Sequence, residues 1–241
     1  MAERNVLPIQ IMTLNVGGRG AAQVRRDLIR NFQPQLRQCS VIFVQECNSR
    51  ADRNNLMRIL GNGYQISPEN IDVAIIWDQE MFLDVEVIPD ETINNIINDN
   101  GLFQQMINQN YVINDRVKVI RATLARRVVY FASWHGPHRH FAVDRKEETA
   151  RDLIRLMRNI SRRQPFIIGG DFNLLADNQF PVQGGVEVLH NIPNPPMHDI
   201  DYFVLRNGRN GVFDVENVDR LPLSDSNTLD HQPVQARFRQ V

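Results

Sequence analysis

Hydrophobic and polar residues follow two different periods along the chain, and together these periods predict an α/β fold. Short apolar runs, some continuous and some alternating with polar residues, predict β-strands. The segments with this pattern are PIQIMTLNV, SVIFVQEC, DVAIIW, VKVIRATL, RVVYFASWH, PFIIGGDFN, DIDYFVL and HQPVQARF.

Three further segments have apolar residues at helical spacing. Residues 144–160, DRKEETARDLIRLMRNI, form the strongest pattern, with acids towards the start and bases towards the end, as the helix dipole favours. Residues 23–32, QVRRDLIRNF, predict a second helix. Residues 91–114 are rich in Asn and Gln but keep helical spacing, so we expect a local helix and a connector. No repeat or linker interrupts the chain, which predicts one domain over residues 1–241.

One of the predicted strands, in PFIIGGDFN, ends in unusual polar residues. The apolar run 166–168 predicts a strand buried on both faces, and Gly169 and Gly170 are expected to end it with a sharp turn and a close backbone approach. Asp171 and Asn173 would then lie at the strand end. Because an unpaired buried carboxylate is costly, this placement indicates a functional role. Asp and Asn also favour caps and turns, which is the structural alternative for this pair.

Several polar residues, including this pair, follow predicted strands or lie close to their ends. A rigid strand aims such a side chain while the neighbouring loop admits a ligand, so we expect these residues to share one site. They are Asn15, Glu46, His135, Asp171, Asn173, Asp201, Asp230 and His231.

Composition limits the classes of protein to which the chain can belong. Hydrophobic residues make up 42% and charged residues 23%, as in globular proteins rather than disordered or membrane-embedded ones. The formal net charge is −1, so the field of the whole molecule would not attract nucleic acid, and an anionic substrate must be held by local basic residues.

The N-terminal sequence and the cysteines bear on location. The first residues, MAERNVLPIQIM, lack the order of charged, apolar and small residues typical of a signal peptide, and no apolar run reaches membrane-span length. An intracellular location is therefore expected, with cytoplasm and nucleus both open. Cys39 and Cys47 are too few for a disulfide framework and fit no zinc ligand spacing, so we interpret both as structural thiols.

Six short motifs occur in a fixed order between residues 13 and 234: TLNV, FVQEC, ASWHGP, IIGGDFN, DIDYFVL and LDHQPV. Each is weak alone, but the ordered set resembles the endonuclease/exonuclease/phosphatase superfamily, most closely its deoxyribonuclease I and cytolethal distending toxin branches. The resemblance implies a four-layered α/β sandwich with two facing mixed β-sheets. It also implies hydrolysis of phosphoesters with Mg²⁺ as cofactor, with Mn²⁺ or Ca²⁺ as alternatives.

The resemblance assigns metal ligands to three positions. Glu46 matches the principal metal carboxylate of the family, and Asn15 and Asp230 match the residues beside it. Oxygen ligands of this kind are those that Mg²⁺ requires.

Catalytic roles are implied for five positions. His231 matches the histidine nearest the scissile phosphate, and Asp201 matches the acid that orients it. Asp171 and Asn173 match the pair that positions or activates the attacking water and contacts the phosphate. His135 matches the second histidine of the two branches, which points to a two-histidine mechanism. The alternative for an isolated residue such as His231 is a hydrogen-bonded core histidine.

Substrate contacts are the least well marked. Arg116 resembles a phosphate-binding arginine, with a solvated arginine as the alternative, and Arg139 is another basic residue near the predicted site. Asn48 stands where related enzymes often carry an arginine. Two acids, Glu69 and Asp72, are candidates to support His135, and the sequence leaves open which of them does so, or whether neither does.

These observations lead to a primary hypothesis and two alternatives. The primary hypothesis is a Mg²⁺-dependent phosphodiesterase that cleaves nucleic acid, with DNA favoured as partner and endonuclease activity expected. The first alternative is a phosphatase acting on a phosphoinositide or another phosphoester with the same catalytic set. The second is a catalytically silent binding module on the same scaffold, which would be indicated by loss of the metal acid or the histidines.

Overall fold

The computed structural model describes most of the chain. The described residues are 8–17, 29–68, 72–138, 140–176, 180–181, 185–191, 199–208, 212–223 and 231–240. Of the predicted site residues, Asp230 and Arg139 lie outside these ranges, as does most of the helix predicted at 23–32, of which Ile29 and Arg30 are helical.

The described strands form two mixed sheets of six strands each. The strands are β1 (Ile9–Asn15), β2 (Val41–Gln45), β3 (Tyr64–Ile66), β4 (Val73–Asp78), β5 (Leu83–Val87), β6 (Val117–Leu124), β7 (Arg127–His135), β8 (Phe166–Asp171), β9 (Glu187–Leu189), β10 (Asp201–Arg206), β11 (Phe213–Arg220) and β12 (Val234–Gln240). The helices are α1 (Gln33–Leu36), α2 (Arg50–Leu60), α3 (Asp90–Asn100), α4 (Gln104–Ile107), α5 (Ile113–Arg116) and α6 (Val143–Ser161).

Each sheet is built around a central parallel pair. The first sheet has the order β11-β12-β1-β2-β4-β3, with β1 parallel to β2, and the second has the order β5-β6-β7-β8-β10-β9, with β7 parallel to β8. Their other described strand pairs are antiparallel. The sheets are therefore mixed, as predicted.

The two sheets pack face to face around an aromatic core. The ring of Phe43 from β2 contacts Phe131 and Phe203 of the opposite sheet, with centroids 6.4 and 6.1 Å apart. A buried polar contact also joins the sheets, because the Gln45 amide donates to the Ser133 hydroxyl at 3.1 Å. Helix α2 covers the outer face of the first sheet, and α3 and α6 cover that of the second. The predicted four-layered α/β sandwich is confirmed.

The predicted strands are all present, but one boundary was wrong. Gly169 and Gly170 do not turn the chain; they continue β8 to Asp171. Their missing side chains serve close packing, since a Cβ on Gly169 would lie 2.3 Å from the Phe43 ring and one on Gly170 would lie 2.0 Å from the Trp134 carbonyl oxygen. Among the described helices, none has the length and apolar character needed to cross a membrane.

Candidate active site

The predicted site residues meet where one end of each sheet comes together. Asn15 is the last residue of β1, and His135 and Asp171 are register partners at the ends of the parallel strands β7 and β8. Asp201 and His231 differ from the expectation, because they lie at or before the start of a strand rather than after one. They still reach the same edge, since β10 and β12 run antiparallel to β8 and β1.

Asp171 lies at the centre of this group and is 2% exposed. Its Oδ2 accepts from the Asn15 amide at 3.2 Å, which links the two sheets, and lies 3.7 Å from His135 Nε2 and 3.8 Å from His231 Nε2. Burial, together with the nearby Asp201 carboxylate, raises the pKa of Asp171 to about 6. The Asp171 carboxylate can thus accept a proton more readily than an exposed aspartate.

Each histidine is held by its own carboxylate. His231 Nδ1 lies 2.8 Å from Asp201 Oδ2, as the sequence predicts for this pair. His135 Nδ1 lies 2.8 Å from Asp72 Oδ2, which makes Asp72 the supporting acid; the other candidate, Glu69, lies outside the described residues. A carboxylate on Nδ1 fixes the ring and aims Nε2 at the reaction centre. His135 Nε2 is buried and has no hydrogen-bond partner within the described part of the chain.

Glu46 and Asn15 form an oxygen-rich corner beside Asp171. The Asn15 amide donates to Glu46 Oε1 at 3.2 Å, and Glu46 adopts a left-handed backbone with φ 55° just after β2. A Cβ on Gly17 would lie 2.0 Å from Glu46 Oε2, so only glycine leaves room for the carboxylate here. The carboxylate is partly exposed and of the hard-oxygen type, which fits Mg²⁺.

Asp171, Asp201 and His231 also come close enough to hold a metal ion, with one ligand atom from each within 4.8 Å of the others. The Asp201–His231 hydrogen bond uses His231 Nδ1 and leaves Nε2 as the ring atom that could bind an ion. Both this cluster and the Glu46 carboxylate can therefore supply ligands to a metal ion.

Asn173 occupies a strained turn after β8, where a lysine contacts it. Its φ is 53°, its backbone N–H donates to Asp171 Oδ1 at 2.9 Å and its side-chain amide reaches the Gly136 carbonyl at 3.4 Å. Lys146 of α6 donates to the Asn173 carbonyl oxygen at 2.7 Å, and burial lowers the pKa of this lysine. Sequence reasoning missed Lys146, because its helical pattern gave no sign of which loop lies beside it.

Arg116 is held beside the His135–Asp72 pair. Its Nε lies 3.1 Å from Asp72 Oδ2, its Nη2 lies 3.3 Å from His138 Nε2, and its guanidinium carbon lies 5.1 Å from the centre of the Tyr111 ring. Burial, followed by the Arg116 and His135 charges, lowers the pKa of His138, which keeps its ring neutral at pH 7. Arg116 is thus held next to the candidate site, and its role in binding phosphate stays a prediction.

Comparisons with solved structures agree with this fold. An endonuclease/exonuclease/phosphatase from Bacteroides vulgatus is 12% identical, with 98% of this chain and 100% of that chain covered and a TM-score of 0.71. The human nocturnin catalytic domain with bound sulfate anion is 16% identical, with coverage of 97% and 94% and a TM-score of 0.68. D. rerio TDP2 complexed with single-strand DNA product is 15% identical, with coverage of 96% and 99% and a TM-score of 0.67.

A family model gives the stronger assignment. No curated protein matches the chain in sequence. The model of the Endonuclease/Exonuclease/phosphatase family matches residues 12–225, which include all the described candidate catalytic residues except His231. The chain therefore belongs to the Endonuclease/Exonuclease/phosphatase family, whose members are phosphoester hydrolases.

Proposed function

We propose that the chain is a Mg²⁺-dependent phosphodiesterase that hydrolyses nucleic acid, with DNA as the favoured substrate and internal cleavage expected. The observation that carries the proposal is the convergence of two carboxylate-supported histidines, His135 and His231, on the buried carboxylate of Asp171. Two histidines that can serve as acid and base in one step fit general acid–base catalysis of phosphoester hydrolysis.

Glu46 and Asn15 are the described residues that would hold the metal, and Asp230 is proposed as a further ligand. A bound Mg²⁺ would reduce the negative charge on the phosphate oxygens. Within the protein, Asn15 also donates to Asp171 at 3.2 Å, so it would couple the metal carboxylate to the proposed proton acceptor.

The chemical step follows from the positions of the remaining groups. Water, held by Asp171 and Asn173, attacks phosphorus and transfers a proton either to the Asp171 carboxylate or to the neutral ring of one of the two histidines. The bond from phosphorus to the leaving oxygen breaks, and the other histidine, in its protonated form, donates its Nε2 proton to that oxygen. Asp201 and Asp72 orient these rings and stabilise their charged forms.

Two observations favour nucleic acid over other phosphoesters. Arg116 lies beside the site and has two N–H groups beyond its described contacts, which suit a phosphodiester. A similar fold, that of D. rerio TDP2, has been crystallised with single-strand DNA product. No lipid-binding amphipathic segment is evident in the sequence, which is why a phosphoinositide phosphatase is the second hypothesis.

Purified protein should be incubated with plasmid DNA, RNA and a panel of soluble phosphoinositides, each with Mg²⁺ and with chelator. We expect Mg²⁺-dependent nicking of the plasmid and no release of phosphate from the phosphoinositides. Phosphate release without cleavage of either polymer would replace the nuclease proposal with the phosphatase, and no turnover of any substrate would favour the silent module.

A further inference from the structure

A pocket of about 540 Å³ opens beside the candidate active site. It shares Glu46, Asp72 and His135 with that site and extends to the segment 109–112, which follows α4. Its volume lies within the range of about 300–1,000 Å³ that is usual for sites binding small organic groups. A substrate whose phosphate lies at the catalytic residues would therefore place its neighbouring group in this pocket.

Three exposed amide side chains line the pocket. Asn48, Gln109 and Asn110 are all exposed, and none of their side chains makes a hydrogen bond within the described ranges. Each amide offers one acceptor and two donor hydrogens and can present either to a ligand. Amides of this kind match the mixed donor and acceptor edge of a nucleobase.

The charges of the pocket do not suit a second phosphate. Glu46, Asp72 and Asp115 contribute carboxylates, whereas Arg116 is the only cationic side chain among the described lining residues. Its guanidinium already contacts Asp72 at 3.1 Å. An uncharged ring is therefore accommodated at lower cost than another anion.

Flat groups among the lining residues suit a planar ligand. The Tyr111 ring lies against the Arg116 guanidinium and is braced by Phe141, whose ring centre is 6.0 Å away at an interplanar angle of 89°. Stacking of a base on such groups is tolerant of sequence, since every base has a π-face.

We propose that this pocket binds one unpaired nucleobase next to the scissile phosphate. The proposal rests on the proposed nuclease function and narrows its substrate class. A base in an intact duplex is paired and stacked, so it must leave the helix to enter a pocket. The protein should therefore prefer single-stranded segments or unpaired ends to continuous duplex.

The test uses short single-stranded DNA oligonucleotides with one natural phosphodiester, all other linkages being methylphosphonates. In two further substrates, the base on the 5′ or on the 3′ side of that linkage is replaced by an abasic site. We expect one of the two abasic substrates to be cleaved at least about tenfold more slowly than the intact one. In the Asn48→Ala/Gln109→Ala double variant this ratio should fall to about two or less.

Gln104→Ala is the matched control, because Gln104 is an exposed amide on α4 that does not line the pocket. It should keep the wild-type ratio. A ratio near one in wild type, or an unchanged ratio in the double variant, would overturn the proposal even if DNA is cleaved.

A binding measurement distinguishes failure of the pocket proposal from failure of the proposed nuclease function. Fluorescence anisotropy with His231→Ala in the presence of chelator measures the affinity for the intact and abasic oligonucleotides while turnover is suppressed. A preference for the intact strand that the double substitution removes would support the pocket even if wild type cleaves nothing. Equal affinity for the intact and the abasic oligonucleotides would overturn the pocket proposal.

Discussion

The position of the Glu46 carboxylate depends on the absence of a side chain at Gly17. A Cβ there would lie 2.0 Å from Glu46 Oε2 and 2.9 Å from Asn15 Oδ1. The carboxylate is the far end of a flexible side chain, so it can move away at little cost in stability. Its movement would nevertheless take the proposed metal ligand out of place.

We therefore expect Gly17→Ala to lower hydrolysis at least tenfold and to weaken Mg²⁺ binding, while the melting temperature changes by no more than about 3 °C. Calorimetric Mg²⁺ titration and thermal unfolding measure the two effects. Gly63→Ala is the matched control, because a Cβ at Gly63 meets no atom within 4 Å. Unchanged Mg²⁺ affinity in Gly17→Ala would contradict the placement of the metal site.

Glu46→Gln tests the same site by charge rather than by position. The amide has nearly the same shape, so no cavity forms, but the lost negative charge weakens binding of a hard cation. Hydrolysis should nearly disappear while the circular dichroism spectrum is kept. Full activity at the wild-type Mg²⁺ concentration dependence would remove Glu46 from the metal site.

The two histidines should act together in one step. His135→Ala and His231→Ala are each expected to lower kcat by about a hundredfold or more, as for a lost general acid or base. The double variant should be less impaired than the product of the two effects, because the partners serve the same transition state. If His135→Ala has the wild-type rate, the protein does not use a two-histidine mechanism.

The sequence predicted the roles of single residues best where those residues belong to a recognisable motif. The pairing of His231 with Asp201 was predicted and is present in the structure. The acid that supports His135 was left open between Glu69 and Asp72, because the two lie close together in sequence and only the path of the chain brings one to the ring. Lys146 was missed for the same reason.

Among the elements, the buried strands were predicted and the polar ones were not. Strands β6 and β7 match the predicted segments to the residue, since their apolar patterns are long and regular. Strand β11, FDVENVDR, is only partly buried and contains an irregularity between Val215 and Asn217, so its alternation is broken. Helix α2 was missed although Ser49 caps it by accepting from the Asp52 backbone N–H at 3.1 Å.

The start of α4 depends on a side chain from another helix. Phe103 has a left-handed backbone with φ 58°, and its N–H donates to the buried carboxylate of Asp152 on α6 at 2.7 Å. Asp152→Ala would leave this N–H without an acceptor and should lower the free energy of unfolding by about 1–3 kcal/mol. Asp152→Asn keeps a carbonyl oxygen as acceptor and should retain most of the stability in urea unfolding. Equal destabilisation by both substitutions would contradict this role.

The same pair predicts a pH effect. Burial raises the pKa of Asp152 above its ordinary value of 3.8, so the folded state holds the proton more tightly than the unfolded state. The contribution of Asp152 to stability is fully present below pH 3.8, and it is lost as the pH rises through the raised pKa of the folded state. The stability of wild type relative to Asp152→Asn should therefore decrease as the pH rises above 3.8.

For the whole molecule, the balance of charge determines how a polymer can be held. A net charge of −1 provides no general attraction for nucleic acid, so binding must come from a few local contacts. Each phosphate neutralised on duplex DNA adds about −0.9 to the slope of log affinity against log salt. With Arg116 fixed at the site and Asn48 where an arginine is often found, we expect a shallow slope, equivalent to roughly two to four contacts.

The His135→Ala/His231→Ala double variant, loaded with Mg²⁺, allows this slope to be measured with cleavage strongly slowed. Adding Arg116→Gln should reduce the magnitude of the salt slope by about one. It should also weaken binding by the same factor for every DNA sequence, because a phosphate contact carries no information on the base. Arg126→Gln is the control with the same charge change, since Arg126 lies in the β6–β7 turn, at the opposite end of that hairpin from Trp134 and the site.

Weak sequence preference is also consistent with a pocket of amides, which can offer donors or acceptors to any base. DNA binding that does not depend on salt would show that the protein makes no phosphate contacts to DNA. Together with ready hydrolysis of a soluble phosphoinositide, this result would favour the phosphatase.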